Sequence, residues 1–470
     1  MQMKFINRTQ ELAKLNELWE QQNPQLVVLY GKRRVGKTEL IKQFIKDGKG
    51  VYFLADKRTL KDQLLEFARV LGNYFDDEFV AKKGFDDWLE AFLYLKQKSK
   101  NRQIVIALDE YPYLVETDSA TSSVFQKIWD EIIKETNIYL IICGSSIAMM
   151  ESQVLSEKAP LYGRKTGLLL IEPMSYQASR KFFPETSFEE FMSFYSVTGG
   201  MPAYMQQFSQ YKSAEKAVES LCWDKQGLYH NEVNFALKQE LRTPNNYFAI
   251  LKAIAWGKTQ IGEIANYSGL EPQLVNKYMD TLINLQFVRR EVPVTEDKPH
   301  KSRKGIYILT ENFVRFWFQY VYMYTSDLEI GSFSQASKRF KKFGNALEAI
   351  AYEDVARAHI KTLSTKLFPF DKIGRYWDSS VEVDGVGFNH DERKIVFMEA
   401  KWSRSLQGMR ALNKLRQKAK LVSWMIDDRQ EFFVIYSKSG FTNALLDLST
   451  RKDNLLLVHQ DKIIMSGGLL

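Results

Sequence analysis

Over roughly the first 165 residues, short and nearly unbroken apolar runs alternate with longer stretches of helical periodicity. The runs fall at residues 26–30, 51–54, 104–108 and 138–142. They lack the in–out alternation of a strand with one wet face, so they predict strands covered on both sides. Helix-length segments such as 38–47 and 60–74 separate them, which is the pattern of an α/β domain with a parallel sheet.

From residue 173 to 240 strand character disappears. The segment reads as helices rich in Phe, Tyr and Met, broken by Thr198-Gly199-Gly200-Met201-Pro202, and is expected to form a helical lid. Residues 246–256, 259–267 and 272–285 then predict three helices, with a turn at Ser268-Gly269-Leu270, followed by strands at 287–292 and 306–309. Three helices and a hairpin in that order predict a winged helix-turn-helix. The remainder mixes a helix carrying Glu348 with strands near 380–387, 395–400 and 431–436 and a basic amphipathic helix near 406–422, a second α/β domain. The expected boundaries are 1–172 for a P-loop core, 173–240 for the lid, 241–325 for the winged helix and 330–470 for the last domain.

Composition agrees with several soluble domains. The chain has 470 residues, 45% of them apolar and 26% charged, and no run approaches the roughly 18 apolar residues of a membrane span. The first residues carry no secretory pattern and only Cys143 and Cys222 occur, so a reducing, cytoplasmic setting without disulfides is expected. A net charge of +8 implies polyanion binding only if it is clustered. Lys298, His300, Lys301, Arg303 and Lys304 do share one loop, and Lys338, Arg339, Lys341 and Lys342 another. Either cluster alone could be a solvated face.

The sharpest motif is Gly31-Lys32-Arg33-Arg34-Val35-Gly36-Lys37-Thr38, placed between a strand and a helix. Gly31 and Gly36 permit the backbone angles that turn N–H groups toward a phosphate, and the helix offers its positive end to the same charge. Lys37 is expected to reach the β- and γ-phosphates and Thr38 to hold magnesium. Asp109 ends the third strand and can bind that ion through water, while Glu110 can orient or deprotonate an attacking water. Ser145, just beyond the fourth strand, can sense the γ-phosphate or position water. Arg164 can supply positive charge to a transition state, though a surface arginine would look the same.

Six short motifs occur in one order: Phe5-Ile6-Asn7-Arg8 with Glu11-Leu12, the loop itself, Leu108-Asp109-Glu110, Gly144-Ser145-Ser146, Leu161-Tyr162-Gly163-Arg164 and Gly199-Gly200-Met201-Pro202. Over residues 1–240 the chain thereby resembles the archaeal-type ATPases of the AAA+/STAND group, which also occur in bacteria. The resemblance implies ATP binding and hydrolysis and makes Arg8 a neighbour of adenine. Asn7 stands where the family usually has Gly. Gly344-Asn345-Ala346-Leu347-Glu348, Trp377, Glu382-Val383-Asp384 and Glu399-Ala400-Lys401-Trp402 resemble the carboxyl-terminal domain of many such proteins, described as uncharacterised and similar to restriction-type nucleases. Leu347 replaces the usual Phe.

Asp384 and Glu399 lie on neighbouring strands, and the spacing from Glu399 to Lys401 points both side chains to one face. Two such carboxylates can hold magnesium or manganese beside a phosphate, with Lys401 stabilising developing charge and Glu348 completing the metal shell. Glu296-Asp297-Lys298 has the same form in a polar loop, so the spacing means little without the strands. Gln273, Asn276, Lys277 and Asp280 can form the exposed face of a recognition helix, although Asp280 opposes phosphate. The aromatic run 313–322 is expected to pack a core. The sequence thus predicts an ATPase coupled to DNA binding and to metal-dependent cleavage, compatible with a homo-oligomer. The alternative is a STAND-type ATP-dependent switch whose last domain only binds a partner.

Overall fold

The computed structural model describes residues 5–241, 243–465 and 468–469; residues 1–4, read above for a secretory pattern, lie outside the described residues. The chain folds as two compact units. One comprises Met1–Phe182, Met201–Tyr204 and Lys238–Arg242, and the other Phe183–Gly200, Met205–Leu237 and Thr243–Leu470. Among the described residues, no helix is long and apolar enough to cross a membrane.

The first unit is built on five strands: β1 (Gln25–Tyr30), β2 (Gly50–Leu54), β3 (Ile104–Asp109), β4 (Ile138–Gly144) and β5 (Gly167–Leu170). Their spatial order is β2-β3-β4-β1-β5, and every neighbouring pair is parallel. Every residue of β3 and β4 is buried, which explains why the sequence showed continuous rather than alternating apolar runs. On one face Phe53, Phe67, Trp88 and Phe125 form a chain of ring contacts with centroids 5.2, 5.3 and 5.5 Å apart. On β4 the Tyr139 ring packs with Phe44 at 5.4 Å and Trp19 at 6.1 Å. Parallel strands bring Tyr30, Leu54, Asp109, Gly144 and Leu170 to one edge of the sheet.

The second unit contains the helices Asn245–Ala255, Ile261–Ser268 and Pro272–Asn284 and an antiparallel hairpin of β6 (Val288–Glu291) and β7 (Ile306–Leu309). Next comes the aromatic helix Asn312–Tyr320. Its Phe316, Trp317, Phe318 and Tyr320 are buried, and the Trp317 indole donates to the His230 carbonyl at 2.7 Å, so this run is core as its helical spacing suggested. The 28-residue helix Ser334–Lys361 follows. It packs on a seven-stranded mixed sheet ordered β14-β13-β12-β11-β10-β9-β8, made of β8 (Lys372–Trp377), β9 (Glu382–Asn389), β10 (Lys394–Lys401), β11 (Gln430–Ser437), β12 (Leu455–His459), β13 (Lys462–Met465) and β14 (Gly468–Leu469). β10 pairs antiparallel with β9 and parallel with β11, the crossover to β11 running through the helix Met409–Ala419.

Residues 173–240, expected as one lid, are instead shared between the units. The helix Phe188–Thr198 belongs to the second, where Phe188 meets the rings of Tyr352 and Trp402, both with centroids at 6.2 Å. An aromatic helix face fixes that the helix must be covered, not by what.

Candidate functional site

The loop after β1 owes its path to two glycines. Gly31 has φ +147°, and a Cβ there would lie 2.4 Å from the Ile171 carbonyl oxygen. Gly36, at φ 92°, caps the helix Lys37–Phe44. Lys37 is buried, and its ammonium donates to the carbonyls of Gly31 at 2.8 Å and Lys32 at 2.9 Å. Burial pushes its pKa down, against the pull of Cys143, Glu110 and Asp109. The ammonium is thus held by the loop's own carbonyls.

Asp109 gathers the neighbouring elements. Its Oδ2 accepts from the Thr38 hydroxyl at 2.6 Å and the Tyr52 phenol at 2.8 Å, and its Oδ1 from the Glu110 N–H at 2.9 Å. Tyr52, on β2, is a site residue that the sequence reading missed. Its phenol pKa is raised by burial and then by Asp109. Glu110 takes a left-handed conformation, φ 55° and ψ 41°, and opens the helix Tyr111–Thr117. Non-glycine residues held there cost about 1–3 kcal/mol and concentrate at functional sites. The Ser145 hydroxyl lies 2.9 and 2.8 Å from the two Glu110 carboxylate oxygens. One residue on, Ser146 donates to Glu240 at 3.1 Å, whose carboxyl burial pushes up.

Arg8 is buried, with φ 63°. Its guanidinium donates to Glu11 at 2.7 Å, the Val35 carbonyl at 2.7 Å and the Glu172 carbonyl at 2.8 Å. It therefore ties the phosphate-binding loop to the segment after β5. Arg8 also lines a cleft of about 650 Å³ with Asn7, Leu168, Leu170, Pro173 and Met174, but its guanidinium is committed to Glu11 and two backbone carbonyls. Arg164 requires a correction. It precedes β5, which runs parallel to β1, so it stands at the amino edge of the sheet, opposite the loop. There it is paired with Asp130 at 2.8 Å and cannot act within its own nucleotide site.

In the second unit Asp384, Glu399 and Lys401 do converge. Lys401 hydrogen-bonds one oxygen of Glu399, and Lys418, from the helix Met409–Ala419, takes the other at 2.7 Å. Burial pushes Glu399 up, but these bonds outweigh it and hold the carboxyl below its ordinary range. Asp384 accepts from the Ala400 N–H at 2.9 Å, and burial followed by Glu399 raises its pKa. Glu348 is not part of this cluster: it accepts from the Trp402 indole at 2.7 Å and from the Ser193 hydroxyl. Glu353 instead feels Asp384, and burial with that charge pushes its carboxyl to about 7. Among the described residues, no three His, Cys, Asp or Glu side chains come together as a metal cage. Lys418 and Glu353 gave no signal in the sequence.

Arg8→Ala should weaken ATP binding by about tenfold or more, because charge-assisted bonds of about 1.5–3 kcal/mol hold the loop's Val35 carbonyl. Arg8→Lys should not restore it, since one ammonium cannot reach three acceptors with a planar fork. Nucleotide titration of both variants checks this.

Residues 5–208 match a family of ATPase domains predominantly from Archaea, and residues 317–415 match a family of archaeal and bacterial proteins of unknown function. An uncharacterised protein of Methanocaldococcus jannaschii is 35% identical over 444 residues, covering 92% of this chain and 95% of its own. An uncharacterised ATP-binding protein of the same organism is 49% identical over 45 residues, 10% of this chain and 76% of its own. The solved Walker-type ATPase of Pyrococcus abyssi aligns with a TM-score of 0.51 at 21% identity, covering 67% of this chain and 96% of that one, a likeness of fold. With a relative matched along almost its whole length and both domain families matched in order, the chain belongs to the archaeal-type ATPases that carry this ATPase domain ahead of a carboxyl-terminal domain of unknown function.

Proposed function

We propose that the chain is an ATP-hydrolysing switch that binds DNA through its three-helix and hairpin element, with Asp384, Glu399 and Lys401 serving as a neutralised structural cluster. The carrying observation is the Glu110–Ser145 pair beside the Thr38–Asp109 bond. The cleft lined by Asn7, Arg8 and Leu168 suits the base, and Lys37 meets the β- and γ-phosphates. Oxygens of Thr38 and Asp109, 2.6 Å apart, fit the donor set of a hard cation. Magnesium held there would neutralise phosphate charge. Glu110 orients the attacking water and accepts its proton, and Ser145, by bonding that carboxylate, competes with the water for it.

The DNA reading rests on charge. In the helix Pro272–Asn284 the side chains of Gln273, Asn276, Lys277 and Asp280 are all exposed, as a groove-reading face requires. The hairpin loop presents Lys298, Lys301 and Arg303 to solvent. Lys304 is paired with Glu296 at 2.8 Å and contributes less. No step is assigned to a metal at Asp384: both oxygens of Glu399 are bonded to ammonium groups, so a cation would have to displace them. A second reading, metal-dependent nucleic-acid cleavage, is favoured only by the meeting of Asp384, Glu399 and Lys401 on β9 and β10.

Glu110→Gln should keep ATP bound yet slow hydrolysis by at least roughly 10²-fold, since the amide preserves shape and loses basicity. Steady-state turnover at the parent rate would place the base elsewhere. Reversing the charge of Lys298, Lys301 and Arg303 should weaken DNA binding and reduce its log–log salt slope by about 0.9 per lost phosphate contact; an unchanged slope would make the hairpin a packing element. The purified chain should cut neither DNA nor RNA with magnesium or manganese. If it does cut, and Asp384→Ala stops cleavage while sparing ATP turnover, the nuclease reading replaces the structural one.

A further inference from the structure

A second pocket, of about 350 Å³, lies within the second unit, lined by residues of β6, β7, β8, the aromatic helix and the 28-residue helix. Its size is at the lower end of ligand pockets, roughly 300–1,000 Å³. Four arginines from four elements line it: Arg289 on β6, Arg315 on the aromatic helix, Arg357 on the long helix and Arg375 on β8. Glu353 and Asp354 are the carboxylates of the lining, and Ile254, Trp256, Ile308 and Ile350 supply an apolar wall.

Three of the four guanidinium groups are occupied. Arg289 bonds Glu291 at 2.9 Å and faces Asp354 at 3.7 Å. Arg375 pairs with Glu382 at 2.6 Å and with Glu291 at 3.6 Å. Arg357 donates to the Asp384 carbonyl at 2.8 Å, pairs with Asp354 and faces Glu353 at 3.8 Å. Among the described residues, Arg315 makes no hydrogen bond and no ion pair within reach. It is half-buried, feeling Asp354 at a distance and the like charges of Arg289 and Arg375. The Arg375 Nε is buried without a partner. A buried guanidinium donor is rarely left unused, because burial removes the water that would otherwise satisfy it.

We propose that this pocket binds a small phosphorylated molecule of nucleoside-monophosphate size, its phosphate held by Arg315 and the unpartnered Arg375 Nε and its ring against Trp256 and the isoleucines. Planar forks converging from separate elements suit the several oxygens of a phosphate better than the two of a carboxylate. Burial and the nearby Asp384 keep the Glu353 carboxyl ready to carry a proton near neutral pH, so it need not repel the anion. Arg357 lines the pocket and also holds the Asp384 carbonyl, so a bound ligand touches the frame of the acid–lysine cluster. The site shares no residue with the P-loop and stands independently of how ATP is used.

Calorimetry on the full chain carrying Lys37→Ala, which silences the P-loop lysine, should register AMP binding and weaker binding of inorganic phosphate. Adenosine should give no comparable heat. Arg315→Ala should weaken AMP binding at least about tenfold, and Arg315→Lys should fall between, keeping charge but losing the fork. In the unaltered chain, AMP should slow phenylglyoxal modification of Arg315, mapped by peptide mass, a reading that needs no variant to fold. AMP and phosphate that neither bind nor protect would overturn the proposal, as would equal affinity in Arg315→Ala or equal binding of adenosine. If a short oligonucleotide protects Arg315 while AMP does not, the arginines serve a nucleic-acid backbone and the small-ligand proposal fails.

Discussion

The nucleotide site depends on one carboxylate at the end of one strand. Asp109 completes β3 and takes hydrogen bonds from β2, from the first turn of the helix after the phosphate-binding loop and from its own successor's N–H. Those groups can meet only because the sheet is parallel and in register: Leu54 lies opposite Asp109, and Leu108 opposite Ile142. The buried apolar strands therefore set a polar geometry at their ends. Cores are packed to near-crystalline density, so displacing one strand would move several of these donors together.

The second unit uses charge differently. Where Asp109 receives neutral donors, Glu399 receives two ammonium groups, so its charge is more than offset before any ligand is considered. Asp384, beside it, stays poorly compensated, and its pKa and that of Glu353 rise together. The two clusters thus illustrate opposite economies of a buried carboxylate: stabilisation by hydrogen bonds, or by direct neutralisation.

How much of this was legible in the sequence follows the same division. Strands covered on both faces announce themselves, and so does a loop whose glycines have no substitute. β5 was not read from the pattern, because it begins at Gly167 and exposes Leu168. That omission is why Arg164 could be placed near the nucleotide: without β5 there was no way to see that it stands at the wrong edge. β8 was missed because an edge strand carrying Lys372 and Arg375 is only partly buried. Tyr52 and Lys418 act across strand and crossover, relations that spacing along the chain does not encode. Glu348 and Glu353 share one helix, but five residues turn about 140°, so only one can face Asp384, and the motif marked the other.

Two short segments return to the first unit. Met201–Tyr204 and Lys238–Arg242 are each flanked by chain belonging to the second unit, yet both end at parts of the nucleotide site. Ala203 donates to the Arg34 carbonyl at 3.4 Å, and Glu240 accepts from Ser146. Ser145 and Ser146 are consecutive, one holding Glu110 and the other Glu240. A shift that carries the whole β4 terminus would alter the Ser145–Glu110 and Ser146–Glu240 bonds together. Both bonds lie within the first unit and leave from consecutive residues at the end of one strand.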